Sequence, residues 1–295
     1  YLTKNGEYCV LRASLAAEGR AITIYEEVHP KALESNPKVH SIFLEKLYSI
    51  LPKDCIPCII TDAGFKTPWF KKVIALGWDY IGRVACGTSC FDDGTEFRSV
   101  RELFKLATQT PQFIGTYVLT KSNKLKTNFY IYKGLSKSRH KWTRTAPKKI
   151  AKDKDSRKHG KSYCEPWILV SSFKGTHFAK QIITKYKSRM TIEENIRDTK
   201  SVKYGFSMNE NHTIKPERYI VWLSLAALAS LIAWIVGFVT EQQKYHFAFQ
   251  ANTYKHRRVL SFFYLGCQMI RKRIFLFIDF NELRLMAWRD LTLIV

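Results

Sequence analysis

Hydrophobic positions along this chain recur in two rhythms, one of period two and one near 3.6, and the order of the two predicts the elements. Tyr8 to Leu15 and Ala21 to Glu27 are short β-prone runs separated by Ala-Glu-Gly-Arg, a polar turn containing Gly19, which predicts a hairpin. From about Lys38 to Leu51, Val39, Ile42, Phe43, Leu47, Ile50 and Leu51 follow helical spacing and Pro52 closes the segment. Cys58-Ile59-Ile60-Thr61-Asp62 is a continuous apolar run ending on a carboxylate, the pattern of a strand buried on both faces. Thr67 and Pro68 then predict an N-cap and a first-turn proline; Phe70, Val73 and Leu76 make the apolar stripe, and Gly77 stops the helix. Trp78 to Val84 reads as a further strand, so the opening part alternates strands with helices.

Between Cys86 and Cys164 the composition shifts to Thr, Tyr, Phe and Lys with frequent turn residues, and the runs 112–119 and 127–132 predict strands within a β-rich insertion. Lys133 to Lys161 carries twelve Lys or Arg against Asp153 and Asp155, a loop or arm without its own core. Trp167 to Ser171 resumes strand character, and one long helix is expected from near Thr176 to about Lys200. Tyr219 to Thr240 is 22 residues without a formal charge, long enough to span a membrane. It stands alone between ordinary charged and aromatic segments, which favours a core helix apolar all round; a small membrane-anchored basic protein is the competing reading.

The 295 residues, 46% hydrophobic, suffice for one elaborated domain or two. A net formal charge of +23 points to polyanionic partners, nucleic acid or an anionic membrane surface. The seven cysteines are too few and too irregular for a disulfide scaffold, and they read as free thiols of a reducing compartment. Cys55, Cys58, Cys86 and Cys90 are the one set that could supply four thiolates to zinc. Against that, Cys58 opens an apolar strand, where a small buried thiol is the commoner finding.

The sharpest local feature is Tyr186, Arg189, Glu193, Arg197 and Lys200, at offsets of 3, 7, 11 and 14 from the tyrosine. On one continuous helix these project from a single stripe and surround a carboxylate with a phenol and three cations. A solvated pair of i to i+4 ion pairs explains the same spacing, worth only tenths of a kcal/mol. The second carboxylate, Asp62, at the end of a buried strand, tips the balance toward a cation site.

The Tyr-x2-Arg-x3-Glu-x6-Lys spacing, with Thr61-Asp62-Ala63-Gly64-Phe65 and Pro68-Trp69-Phe70, closely resembles the insertion-sequence-four group of bacterial DDE transposases. Val10 to Ser14, Glu165-Pro166-Trp167, Phe249 to Thr253 and Val259 to Ser261 also look like sequence of that group. The resemblance implies an α/β fold: a ribonuclease-H-like mixed sheet flanked by helices, interrupted by a β-rich insertion, with a helical C-terminal part. The expected segments are 1–85 and 165–210 for the core, 86–164 for the insertion and 211–295 for the helical region.

It further implies metal-dependent cleavage and strand transfer of DNA in cut-and-paste transposition. Asp62 and Glu193 would be catalytic and hold Mg2+ in a two-metal site, and Tyr186, Arg189 and Lys200 would hold phosphates of double-stranded transposon and target DNA. Arg197 fits the phosphate role by geometry, and Glu194 is passed over because it lies about 100° around the helix. The expected setting is the bacterial cytoplasm, on the nucleoid and without a membrane, as a dimer or a monomer within a synaptic complex. The pattern also demands a first Asp on a strand just before the hairpin, and an N-terminal DNA-recognition domain. The chain is therefore expected to be a fragment or a decayed copy, inactive in strand transfer alone, with an open sheet edge. A non-catalytic DNA-binding relic is the alternative.

Overall fold

The computed structural model describes residues 1, 3, 6–87, 89–134, 165–204, 206–208, 210, 213, 215–251, 253, 256–274, 276 and 292–294. The chain divides into two compact units, residues 1–60 with 187–295, and residues 61–186. The strongly basic run falls outside the described residues except for Lys133, as does Cys164.

The first unit opens on the expected hairpin, β1 (Tyr8–Ala16) antiparallel to β2 (Ala21–Pro30), with one bulge between Ala13 and Ser14. Helix α1 (Pro37–Ile50) starts where the Asn36 side chain accepts from the Lys38 and Val39 amides, and buries Phe43, Leu44 and Leu47. Phe43 meets Tyr25 of β2 at 5.1 Å between ring centroids. β3 (Cys58–Thr61) follows, its last residue opening the second unit. The strand order is β2-β1-β10-β3, where β10 is Thr292–Ile294. β10 runs antiparallel to β1, placing Thr292, Leu293 and Ile294 opposite Ala16, Leu15 and Ser14, and parallel to β3, with Ile294 opposite Ile60. The open edge expected beside the hairpin is thus corrected: a short extended segment from the far end of the chain supplies the missing backbone partners there.

In the second unit, α2 (Thr67–Ala75) packs on β4 (Asp79–Arg83), with Phe70 stacked on Tyr80 at 4.9 Å. Its N-cap is Lys66 rather than Thr67, a shift of one residue. The strands β5 (Cys90–Asp92), β6 (Phe97–Ser99), β7 (Gln112–Leu119), β8 (Leu125–Tyr132) and β9 (Trp167–Ser171) pair antiparallel in the order β4-β9-β8-β7-β5-β6. The β-prone stretch therefore continues the sheet of β4 and β9. Phe129, Tyr130, Ile131, Ile168, Leu169 and Val170 are fully buried along its central pair.

The long helix expected over 176–200 is two helices, α3 (Ala179–Ser188) and α4 (Met190–Lys200), separated by Arg189. A local competitor explains the interruption: the Thr191 hydroxyl donates to the Ser188 carbonyl at 2.8 Å, and the Ile192 amide to the Arg189 carbonyl at 3.2 Å.

The uncharged run forms α5 (Pro216–Gln242), which packs against α6 (Phe262–Arg271) and β2 in the first unit. Among the described residues it is the one helix long and apolar enough to cross a membrane, but only 28% of its most apolar window is buried. The expectation of a helix buried all round is corrected. One side is covered, while Val221, Leu225, Leu228 and Ile232 are exposed at 61%, 62%, 56% and 48%. The covered side depends on two glycines. A Cβ on Gly237 would lie 1.8 Å from the Phe262 carbonyl oxygen, and one on Gly266 1.7 Å from that of Ala233, so the two helices touch backbone to backbone. Trp234, Phe238 and Phe262 close around this contact at 5.2 to 5.7 Å between rings.

Gly266→Ala should therefore force the helices apart and lower stability by about 1–3 kcal/mol or more, read from the urea midpoint. Gly87→Ala, where the nearest atom is the end of a flexible arginine at 3.9 Å, should leave the midpoint unchanged.

Candidate active site

Helix α4 carries three of the four charged residues singled out for DNA contact or catalysis besides Arg189, and its seat on the hairpin is built from polar groups. Its buried face is Ile192, Asn195, Asp198 and Thr199. Arg12, in the middle of β1 with a side chain 3% exposed, donates to Glu26 Oε2 at 2.7 Å, to Asn195 Oδ1 at 2.5 Å and to the Tyr1 hydroxyl at 2.8 Å. Asn195 in turn donates through Nδ2 to the Ala21 carbonyl at 3.2 Å. Arg20, in the hairpin turn, donates to Asp198 at 2.5 Å and Glu194 at 2.8 Å. Two arginines of the hairpin thereby fix both the rotation and the register of α4. Of these clamp residues sequence weighed only Glu194, which it passed over, and assigned no role to the others; the available signal was Arg12, a charge inside the apolar run Val10-Leu11-Arg12-Ala13.

The clamp separates the neighbouring glutamates. Glu194 is engaged by Arg20 and lies 4.0 Å from Arg197, an exposed side chain. Glu193 is 47% exposed and forms an i to i+4 ion pair with Arg189, whose side chain is mostly buried. Lys200, half-buried, stands with Nζ 5.3 Å from the centre of the Tyr1 ring. Burial first, and then the nearby Arg12 charge, holds its pKa below the ordinary lysine range. Tyr186 belongs to α3, only 3% exposed and edge-on to Trp167 at 5.1 Å. Arg189, at the break between α3 and α4, pairs with Glu193 one turn on; Glu193 and Arg197 are exposed in the first unit, and Tyr186 is buried in the second.

Asp62 follows directly after β3. The strand is buried at Ile59, Ile60 and Thr61, but the carboxylate itself is exposed and accepts the Gly64 amide at 2.8 Å in a tight turn. The argument from a costly buried carboxylate is thus corrected, because the buried run ends one residue before the acid. As donors, two accessible carboxylates suit a hard divalent cation. Their number does not complete a site: among the described residues no group of three or more His, Cys, Asp and Glu is gathered as metal ligands. Cys55, Cys58, Cys86 and Cys90, which carried the zinc alternative, are free thiols, the first exposed and the third buried, and they too fall under the absence of a gathered ligand group among the described residues.

The described residues hold a mixed α/β sheet, a strand that ends just before an exposed aspartate, and a clamped helix bearing an accessible glutamate. The family model for the transposase DDE domain matches residues 40–232, about two thirds of the chain, and the chain belongs to that family. The mixed α/β fold is consistent with a ribonuclease-H-like DDE domain, whose members act on DNA with a divalent metal ion. No curated protein matches the chain.

Replacing Arg12 by Met should remove one member of a buried ion pair and leave Glu26 uncompensated, costing about 3–5 kcal/mol in denaturant unfolding. The same change at exposed Arg197 should leave the unfolding midpoint where it is.

Proposed function

We propose that the chain is catalytic sequence of an insertion-sequence-four transposase, in which Asp62 and Glu193 serve as two of the acids for DNA cleavage and strand transfer. The observation that carries this is the division of labour on α4: Glu194 and Asp198 are consumed by the arginine clamp, while Glu193 beside them is held toward solvent.

Asp62 and Glu193 offer oxygen donors to Mg2+, which when bound supplies Lewis-acid activation of a phosphodiester. Arg189 would exchange its ion pair with Glu193 for a DNA phosphate, and Arg197 and Lys200 would each add a charge-assisted contact. Lys200 favours that role because its charge is poorly solvated and would be stabilised by an anion. Tyr186, 3% exposed with its ring against Trp167, would serve as a neutral donor to a phosphate only once the chain around it moves aside. Transposon ends and target, a cut-and-paste course, assembly as a dimer or monomer in a synaptic complex, and a place in the bacterial cytoplasm belong to the same reading. A second reading is a DNA-binding relic without chemistry, which keeps the basic surface alone.

Binding to double-stranded DNA should fall by about 10³ or more between 50 and 200 mM salt if six or more phosphates are neutralised. In the full-length transposase, Asp62→Ala and Glu193→Ala should each leave that binding within about twofold, since neither neutralises a phosphate, and abolish Mg2+-dependent nicking. A full-length wild-type protein that binds steeply but never nicks supports the relic. Loss of binding in both variants assigns the two acids a structural role.

A further inference from the structure

A cleft of about 380 Å³ lies between β2 and α5, both in the first unit. Its place follows from the register of the hairpin. Tyr8, Val10 and Arg12 share one face of β1, and Pro30, Val28 and Glu26 stand opposite them on β2. The Tyr8 ring meets Tyr219 of α5 at 5.9 Å, so α5 lies over the face that Val28 and Glu26 share. Further along β2 the register passes from Ala13–Tyr25 to Ser14–Thr23, which makes Ile24 the extra residue of a β-bulge. Ile24 belongs to the cleft wall, and a bulge there bends the strand.

The lining is of two kinds. Ile24, Val28, Ile220, Leu223 and Ala227 give apolar walls. The polar side chains Ser224 and Glu26 offer acceptors. The Ser224 hydroxyl spends its proton on the Ile220 carbonyl at 2.9 Å and keeps its lone pairs. Glu26, with a side chain 10% exposed, engages Arg12 through Oε2 at 2.7 Å, while Oε1 is buried with no hydrogen-bond partner among the described residues. A buried acceptor left in that state is costly, and a donor that reached it would recover the cost. The Tyr1 phenol, itself bonded to Arg12, is a further polar group near the carboxylate. Charge narrows the occupant. Arg12 already balances Glu26, so a cation would add an unmatched positive charge beside the guanidinium, and an anion would meet the carboxylate.

We propose that this cleft binds a small, uncharged, mainly apolar molecule that carries one hydroxyl donor, a phenol or an alcohol. Its apolar body lies against Val28, Ile220 and Leu223, and its hydroxyl donates to Glu26 Oε1. Glu26 holds Arg12 and Arg12 holds Asn195, so the occupant adjoins the chain of bonds that seats α4. The site is independent of DNA chemistry and stands whether or not Asp62 and Glu193 are catalytic.

The probe is 4-ethylphenol, titrated into the full chain and followed by amide resonances in NMR spectra, with ethylbenzene as the analogue that lacks the donor. The phenol should bind with a Kd of about 1 mM or tighter. It should move the backbone amides of residues 23–28 and 220–227 together with the side-chain amide of Asn195. Ethylbenzene, although more apolar, should bind at least about tenfold more weakly. Ser224→Phe and Ala227→Leu fill the cleft from the helix side, and each should weaken the phenol by about tenfold. Circular dichroism first confirms the wild-type fold of each variant; one folded variant suffices, and the comparison with ethylbenzene needs none. Equal affinity for ethylbenzene, undiminished binding by a folded variant, shifts centred outside the two segments, or no binding at all would overturn the proposal.

Discussion

A guanidinium that retains only 3% of its surface has lost its water, and its stability rests on what surrounds it. Arg12 finds a carboxylate on the adjacent strand, a phenol on the opening residue and an amide oxygen on a helix 183 positions away in sequence. Remove the helix and the arginine is stranded; remove the arginine and Glu26 is. This mutual need ties the opening hairpin to the late segment that carries Glu193, and Arg20 repeats the tie one turn further on through Glu194 and Asp198. The apolar packing of α1 on one part of the hairpin and of α5 with α6 elsewhere in the unit stabilises the frame, but it is non-directional and cannot set which side of α4 faces outward. The directed hydrogen bonds do that.

That division explains why adjacent glutamates differ. The spacing to Arg189 and Lys200 already singled out Glu193 over Glu194, on the ground that they point about 100° apart. The structure adds a physical reason: Glu194 is part of the clamp and Glu193 is not. Asp62 reaches exposure differently, as the first residue beyond a buried strand, in a turn closed by the Gly64 amide. The two acids belong to different compact units, so each owes its accessibility to its own local frame.

Much of the fold was legible because burial in regular elements leaves a period. The hairpin, α1, β3, α2, β4 and the strands at 112–119 and 167–171 fall where the alternation of apolar residues predicted. What was missed has no such signature. The interruption at Arg189 arises from a threonine hydroxyl competing for a backbone carbonyl, while the apolar spacing continues through it. A run of uncharged residues reveals length but not which sides are covered, so α5 was expected to be buried all round. β10 pairs elements from opposite ends of the chain, a long-range match that local pattern does not encode. The clamp was hidden for a related reason: Arg12, Arg20, Asn195 and Asp198 are individually ordinary polar residues whose significance lies in one another's positions.

The claim that directed polar contacts, rather than apolar packing, hold the glutamate-bearing helix is most directly tested by native-state amide hydrogen exchange across Met190–Lys200, comparing wild type with Asn195→Leu. This substitution keeps side-chain bulk and removes the bonds to Arg12 and Ala21. Protection should fall throughout α4 while β1 and β2 keep theirs against each other. Unchanged protection of α4 would show that packing alone seats the helix and would contradict the account.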